Sequence, residues 1–219
     1  MKIGILGAGY IGRALAILGT QHGHQVMISN SRSPQTLLST VAAIRCAAGT
    51  AEQAAAFGNV IVVAVPLASY RSIPAQALKG KIVIDTGNYY PQRDGQIAAL
   101  DNGATTTSEL LADFLPGAKV VKAFNAILAK DIDSTGQPAG TIGRRALPIA
   151  GDHAGAKQVV AGLVDQFGFD TVDAGKLSEG WRFERAMPAY CIALDSAGLK
   201  QKLQEAELDV RQAEGAWRH

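Results

Sequence analysis

Three glycines near the N-terminus have the spacing of a loop that binds phosphate groups. The loop reads Gly7-Ala8-Gly9-Tyr10-Ile11-Gly12. An apolar run, Lys2–Leu6, precedes it, and Tyr10–Thr20 follows with apolar residues at helical spacing. The first glycine permits a sharp turn, the second lets a pyrophosphate approach the backbone, and the third lets the helix pack closely on the strand. Because a helix N-terminus also attracts phosphate, the loop predicts a dinucleotide site, with a ligand-free tight turn as the alternative.

The residues after the second predicted strand, Gln25–Ser29, indicate which dinucleotide binds. They are Asn30, Ser31 and Arg32, and none of them is a carboxylate. An Asp or Glu at this position binds the ribose 2′-hydroxyl of NAD and would repel a 2′-phosphate. Arg32 can pair with a 2′-phosphate, and the Ser31 hydroxyl can donate a hydrogen bond to it. The pattern therefore favours NADP(H), although Arg32 could instead be a solvated loop residue.

Three further predicted strands end in residues that could contact the nicotinamide half of the cofactor. In a doubly wound sheet, ligands bind beyond the carboxyl ends of the strands. Val65 and Pro66 are thus expected to line the nicotinamide–ribose path. The other two strands end in Thr86-Gly87-Asn88 and Ala123-Phe124-Asn125. The amides of Asn88 and Asn125 can donate and accept hydrogen bonds near a carboxamide, or they can simply form loop turns.

Four large side chains near these strand ends are candidates for the walls of a substrate pocket, and packing is the alternative for each: Leu67, Tyr89, Tyr90 and Phe124. No His or Lys occupies an obvious general-base position at the strand ends. Lys122 is the exception, but a lysine within a strand could equally face a helix dipole or solvent. The sequence therefore names no catalytic residue.

Short apolar strands alternate with helical segments along most of the chain, which predicts a Rossmann-type, doubly wound α/β fold with a mainly parallel sheet. Val60–Val65 lacks polar alternation, as expected for a strand buried on both faces. Strand patterns stop near Trp181. We therefore expect an NADP-binding domain over 1–180 and a helical C-terminal extension over 181–219. The extension is predicted to contain helices over Arg182–Leu194 and Gly198–Glu214.

Composition excludes several classes of function. The 219 residues carry 21 Lys plus Arg and 19 Asp plus Glu, a net charge of +2, and no basic run interleaves with aromatics. We therefore expect no nucleic-acid partner. Neither a leader peptide nor a membrane-spanning run is evident, so a cytoplasmic location without membrane association is expected. Cys46 and Cys191 have no metal-ligand spacing, no metal site is predicted, and both are expected to be small buried residues.

Over residues 1–195 the chain resembles the deazaflavin (coenzyme F-420)-dependent NADP oxidoreductases, a family that includes bacterial NADPH-dependent reductases and the cytoplasmic domains of six-helix ferric reductases. The resemblance rests on the glycine loop together with Ser31-Arg32, Val65-Pro66, Val121-Lys122-Ala123-Phe124-Asn125, Ala150-Gly151-Asp152 and Asp173-Ala174-Gly175-x-Leu177.

This resemblance implies that Ser31 and Arg32 hold the 2′-phosphate and that Ala123 and its successors lie beside the nicotinamide. A flavin-like or deazaflavin acceptor would stack there and take hydride directly, so ring orientation would provide most of the catalysis. The chain departs from the family at two places. Leu67 stands where members that use deazaflavin often carry an aromatic, and Ser33-Pro34-Gln35-Thr36 replaces a basic residue that commonly follows Ser-Arg.

Two other functions are compatible with the same residues. Imine and β-hydroxyacid reductases have similar N-terminal domains, but they usually add a long helical dimerisation domain. A non-catalytic NADP(H)-binding sensor would also lack an obvious acid–base residue. We expect a small-molecule hydride acceptor as the partner and a homodimer as the assembly.

Overall fold

The computed structural model describes residues 1–213 together with 215 and 216. Within this part of the chain, eight strands form one sheet in the order β3-β2-β1-β4-β5-β6-β7-β8. Neighbouring strands are parallel except for the antiparallel pair β6 and β7. The strands are β1 Lys2–Leu6, β2 Gln25–Ser29, β3 Ala47–Ala48, β4 Val60–Val63, β5 Ile82–Asp85, β6 Lys119–Lys122, β7 Ala146–Gly151 and β8 Asp170–Asp173. The predicted doubly wound, mainly parallel α/β fold is confirmed.

Helices cover both faces of the sheet, as expected when parallel strands are joined by crossover connections. They are α1 Tyr10–Gln21, α2 Leu38–Ile44, α3 Ala51–Phe57, α4 Pro91–Asp94, α5 Ala98–Asp101, α6 Thr107–Phe114, α7 Ala129–Ile132, α8 Ala154–Gln166 and α9 Ser196–Gln204. Short 3₁₀ turns connect several of them; they are Pro34–Leu37, Leu67–Ser72, Ala75–Leu78 and Leu177–Phe183.

Two hydrophobic clusters lie on opposite faces of the sheet. In β4, Val60 and Val62 pack into the cluster that includes α1 and α8, whereas Ile61 and Val63 pack into the cluster that includes α3 and α6. All four side chains are buried. Successive residues of a strand point to opposite faces, so an uninterrupted apolar run is what a strand covered on both sides requires.

A reciprocal capping pair sets the start of α6. Thr106 accepts a hydrogen bond from the backbone N–H of Glu109, and the Glu109 carboxylate accepts one from the backbone N–H of Thr106. This reciprocal pair satisfies N–H groups that have no partner inside α6. It fixes where α6 begins and therefore the position of Thr107 and Ser108 in its first turn.

The C-terminal region contains one of the two helices that the sequence predicts. The second prediction is correct only over 198–204, because α9 runs from Ser196 to Gln204. The Asp195 side chain caps this helix by accepting a hydrogen bond from the N–H of Gly198. The prediction of a helix over Arg182–Leu194 is wrong. After Phe183 the chain forms turns, with left-handed backbone at Ala186 and Cys191. Pro188, which has no N–H and disfavours helix at the residue before it, explains why this segment cannot form a helix. The Gly198–Glu214 prediction also includes Glu214, which lies outside the described residues.

An exposed loop over 138–143 joins the region of α7 to β7. Gly140 and Gly143 have φ angles of +80° and +71°, and the Ile142 side chain is fully exposed between them. Left-handed backbone of this kind favours glycine. The loop therefore projects its one bulky side chain away from the core.

None of the described helices is both long and apolar enough to cross a lipid bilayer. The described residues also contain no group of three or more His, Cys, Asp and Glu side chains that could hold a metal ion. Cys191 is buried and Cys46 is half-buried.

Candidate active site

The glycine loop contains two glycines that packing requires and one that borders open space. A Cβ atom on Gly7, whose φ is +113°, would lie 2.2 Å from the carbonyl oxygen of Ala64. A Cβ on Gly12 would lie 2.0 Å from the carbonyl oxygen of Gly7. A Cβ on Gly9 would meet nothing within 4 Å. Gly7 thus lets the loop lie close to Ala64 after β4, and Gly12 lets α1 pack closely on the loop. Gly9 leaves room above the start of α1.

A cavity of about 340 Å³ opens beside this loop. We call it the arginine cavity; its polar lining consists of Arg13, Ser29, Asn30, Ser31, Arg32, Ser69 and Ser72. Neither Asp nor Glu is among the described residues that line it. Two guanidinium groups that have no carboxylate partner among the described residues form a site for an anion with several oxygens, such as a phosphate.

Arg13 lines the arginine cavity and was not predicted from the sequence. Its Nε donates a hydrogen bond of 2.8 Å to the carbonyl oxygen of Ala8, so its guanidinium lies against the glycine loop. Arg13 is in the first turn of α1, where the helix dipole disfavours a cation. A cation at such a position is a signal that could have drawn attention to it, because a bound anion would remove the penalty.

The loop that carries Ser31 and Arg32 is held by Asn30. The Asn30 side-chain oxygen accepts a hydrogen bond of 3.0 Å from the N–H of Arg32, and its Nδ2 donates one of 2.9 Å to the Thr36 hydroxyl. An Asn side chain that bonds to the backbone two residues further on stabilises a turn. Asn30 therefore shapes the loop, while Ser31 and Arg32 present their side chains to the cavity.

A second cavity, of about 400 Å³, continues along the carboxyl ends of the strands. We call it the tyrosine cavity; its lining includes Tyr10, Ile11, Thr86, Asn88, Tyr90, Arg93, Asn125, Tyr190 and Cys191. The two cavities share Gly9, Ala64, Val65 and Pro66. Because these shared residues sit between the two cavities, an elongated ligand could occupy both while passing over Gly9.

Asn88 and Asn125 form a reciprocal pair at the wall of the tyrosine cavity. Asn88 Nδ2 donates to the backbone oxygen of Asn125 at 2.9 Å, and Asn125 Nδ2 donates to Asn88 Oδ1 at 3.1 Å. Asn125 Nδ2 also donates to the backbone oxygen of Phe183 at 3.0 Å. The buried Asn125 Oδ1 accepts no hydrogen bond from any described residue. An acceptor without a partner at a cavity wall can bind an amide N–H, since burying it unpaired is costly.

Three residues predicted to contact the substrate or the cofactor do not line either cavity, so the structure corrects their roles. Leu67 is 5% exposed within the α3 and α6 cluster and borders neither cavity. Tyr89 turns away, because its hydroxyl bonds to Asp101 at 2.9 Å and to the N–H of Ile97. Ala123 is fully buried and also borders neither cavity.

Phe124 borders the tyrosine cavity, but its side chain does not form an open wall. It is 1% exposed, and its ring centroid lies 6.1 Å from that of Phe167 in the core. Its φ of +59° is uncommon for a residue other than glycine. Left-handed backbone at Phe124 turns the chain directly after β6, which carries Asn125 to the cavity wall.

Lys122 lies at the centre of a buried polar cluster behind the tyrosine cavity. Its Nζ is 3.2 Å from a Glu184 carboxylate oxygen and 4.0 Å from one of Asp85. It donates hydrogen bonds to Thr107 Oγ1 at 2.6 Å and to the backbone oxygen of Gly87 at 3.2 Å. The lysine therefore does not face solvent; it lies against the first turn of α6. It ties β6 to the β5 end that carries Thr86 and Asn88.

Comparison with known proteins places this site in a family. A family model described as "NADP oxidoreductase coenzyme F420-dependent" matches residues 2–89. The solved structure of a hypothetical protein from Sinorhizobium meliloti is 32% identical, with 90% of this chain and 95% of that chain covered and a TM-score of 0.77. That of a candidate F420-dependent NADP-reductase from Arthrobacter is 28% identical, with 80% and 85% covered and a TM-score of 0.69. The chain belongs to this NADP oxidoreductase family.

A mammalian protein is also similar to this chain. The metalloreductase STEAP3 of Rattus norvegicus is 31% identical over 199 residues, which are 87% of this chain. The chain spans only 38% of the length of that protein. The resemblance predicted from the residues alone is confirmed by these matches, and NADP-dependent oxidoreduction is the chemistry that the family shares.

Proposed function

We propose that this protein is an NADPH-dependent reductase that passes hydride to a flavin-like or deazaflavin-like acceptor bound in the tyrosine cavity. The observation that carries the proposal is the junction of the two cavities at Gly9, Val65 and Pro66. One cavity is cationic and free of carboxylates among its described lining residues, and the other is flanked by tyrosines. A dinucleotide that spans the junction has its 2′-phosphate and its nicotinamide in environments that suit each group.

The residues fit NADPH at each end. Arg13, Arg32 and Ser31 would hold the 2′-phosphate through charge-assisted hydrogen bonds. The start of α1 beyond Gly9 would hold the pyrophosphate. Asn125 Oδ1, which no described residue satisfies, would accept a hydrogen bond from the carboxamide. When bound, NADPH supplies the hydride.

The protein's own contribution is orientation. The Asn88–Asn125 pair is fixed by three hydrogen bonds between 2.9 and 3.1 Å, and Thr86 Oγ1 donates to the backbone oxygen of Val63 at 3.0 Å. Groups that are already held in place lose little freedom when a ring binds against them. Holding two reacting rings in the correct geometry can account for a large part of a rate enhancement.

The experiment is a matched set of turnover and binding measurements. NADPH and NADH oxidation are followed at 340 nm with FMN, with 5-deazariboflavin and with menadione, a quinone. Affinity for NADPH and NADH is measured by calorimetry on the same preparation. We expect turnover with NADPH and at least one acceptor, and much tighter binding of NADPH than of NADH.

Each alternative has its own outcome. Tight NADPH binding with no turnover against any acceptor would overturn the reductase proposal and support the sensor. Preference for NADH in both measurements would contradict the role assigned to the arginine cavity. Turnover with imines or hydroxyacids but not with flavin-like rings would point to the imine or β-hydroxyacid type of reductase.

A further inference from the structure

Two tyrosines from distant parts of the chain meet in the tyrosine cavity. The hydroxyl oxygens of Tyr90 and Tyr190 are 2.9 Å apart and share a hydrogen bond. The buried Cys191 follows Tyr190 directly in the chain. All three residues line the cavity. Tyr90 is half-buried, whereas Tyr190 and Cys191 are 5% and 6% exposed.

Two guanidinium groups stack on Tyr90. The central carbons of Arg93 and Arg185 lie 4.7 and 4.9 Å from the centre of its ring. Arg93 is held there because it also donates to Asp94 and to the backbone oxygen of Asn88. Cations against an aromatic ring interact favourably with its electrons. The interaction strengthens when negative charge develops on the phenol oxygen, so this setting stabilises the state that Tyr90 reaches as it gives up a proton.

The remaining lining of the cavity leaves few alternative proton donors. Its described lining residues include no Asp, Glu, His or Lys. Burial raises the pKa of the Cys191 thiol to about 11 and raises the pKa of Tyr190 above its ordinary value. Both groups therefore keep their protons at neutral pH. Tyr190 can donate to Tyr90, so that the Tyr90 hydrogen is directed at a ligand.

We propose that Tyr90 is a catalytic residue that donates a proton to the acceptor as the acceptor takes hydride. This inference rests on the proposed function. The balance is simple: two electrons and one hydrogen come from the nicotinamide, one proton comes from Tyr90 Oη, and the acceptor gains both hydrogens. The resulting phenolate keeps the hydrogen bond from Tyr190 and recovers a proton from water, which reaches the half-buried Tyr90 ring.

This role also defines the acceptor by its chemistry. The hydride adduct of the acceptor must carry its negative charge on an oxygen or nitrogen that can face Tyr90, such as the carbonyl oxygen of a quinone or the N1–C2=O edge of a flavin. A general acid accelerates a reaction most when the developing anion is most basic. The loss on removing the Tyr90 hydroxyl should therefore be greater for menadione, whose reduced anion has a localised charge, than for FMN, whose anion is delocalised.

The test compares Tyr90→Phe, Tyr190→Phe and the wild type with menadione and FMN at saturating NADPH. We expect Tyr90→Phe to lower kcat by about 100-fold with menadione, within the usual range for a general acid, and by clearly less with FMN. The KM for NADPH, measured with the NADPH concentration varied, should not change. Tyr190→Phe should show the same acceptor-dependent pattern at smaller size, as expected of a positioning residue. FMN binding to the protein without NADPH, measured by fluorescence quenching, should weaken by about 2- to 10-fold in Tyr90→Phe through loss of one hydrogen bond.

Tyr89→Phe is the matched control, because it removes a phenol hydroxyl at the neighbouring position that faces away from the cavity. It should keep wild-type kcat with both acceptors, and thermal melts of all variants check folding. If the wild type turns over and Tyr90→Phe matches it, or loses activity equally with both acceptors, the proton-donor proposal is overturned while the proposed function stands. If the wild type does not oxidise NADPH in the presence of any of the acceptors, the proposed function fails and this inference fails with it.

Discussion

Lys122 at the end of β6 and Glu184 after the last 3₁₀ turn form an ion pair of 3.2 Å in which the lysine side chain is fully buried. The Glu184 carboxylate also accepts hydrogen bonds from the hydroxyl and the N–H of Thr107. Three segments distant in sequence therefore meet at one carboxylate. The same segment carries Phe183, whose backbone oxygen holds Asn125, so the ion pair supports the wall of the tyrosine cavity.

Replacing Lys122 should cost far more stability than replacing an exposed lysine. Lys122→Met leaves two buried carboxylates, Asp85 and Glu184, without their cation, and breaking a buried pair in this way typically costs about 3–5 kcal/mol. Urea unfolding measures the change. Lys202→Met, which breaks the exposed pair with Glu205, is the control and should change the free energy of unfolding by less than about 1 kcal/mol. Similar values for the two variants would contradict the structure.

The Lys122–Glu184 ion pair also predicts how the free energy of unfolding falls in acid. Burial alone would raise the pKa of Glu184, but the Lys122 charge and the hydrogen bonds from Thr107 outweigh it and lower this pKa below its ordinary value of 4.5. A carboxyl group with a lowered folded-state pKa stabilises the fold above its unfolded pKa and loses that contribution as the pH falls through the folded one. The free energy of unfolding, measured from pH 7 to pH 3, should therefore decline more steeply in the wild type than in Glu184→Gln. Parallel curves would disprove this.

Arg13 should determine affinity for the 2′-phosphate together with Arg32. Loss of one charge-assisted hydrogen bond costs about 1.5–3 kcal/mol, so Arg13→Ala should weaken NADPH binding by about 10- to 100-fold and leave NADH binding unchanged. Arg32→Ala should behave alike. Calorimetry with both nucleotides measures this, and Arg71→Ala, which removes an arginine stacked on Phe114 outside both cavities, serves as control. An equal loss for NADPH and NADH would show that Arg13 has a different role.

Substitutions at Gly9 and at Gly12 should affect different properties, namely NADPH binding and thermal stability. A Cβ at Gly12 would collide with the Gly7 carbonyl oxygen, whereas one at Gly9 meets nothing within 4 Å. We expect Gly12→Ala to lower the Tm strongly and Gly9→Ala to keep the Tm but lose NADPH affinity. Gly162→Ala on α8, where added bulk also meets nothing, should keep affinity and gain about 0.5–1 kcal/mol of stability. Unchanged NADPH affinity in Gly9→Ala would contradict the pyrophosphate site.

The strands were predictable because their apolar runs are uninterrupted. Val60–Val65 and Lys81–Asp85 read as strands for the same reason that they are buried on both faces, although the strands themselves end at Val63 and begin at Ile82. The antiparallel direction of β7 was not predictable, since one apolar run looks alike in both directions. The helix expected over Arg182–Leu194 fails because tertiary contacts of Glu184 and the backbone restriction of Pro188 override a helical pattern.

Contacts between side chains that are distant in the sequence explain which features of the site could not be predicted. The sequence around Lys122 does not predict its contacts with Thr107 and Glu184. The sequence around Tyr90 does not predict its hydrogen bond with Tyr190. Leu67 and Tyr89 failed as pocket residues because a residue's position after a strand does not fix which way its side chain turns. The homodimer and the domain boundary near residue 180 stay predictions, and light scattering can measure the first.

The loop over 138–143 offers a place to attach a reporter. Its fully exposed Ile142 lines neither cavity, so Ile142→Cys would carry a fluorophore or spin label without obstructing either cavity. Of the two native thiols, Cys191 is buried and Cys46 only half-buried, which makes Cys46→Ser the one companion change needed for selective labelling. A single-label protein of this kind would allow ligand binding and subunit association to be followed at nanomolar concentrations.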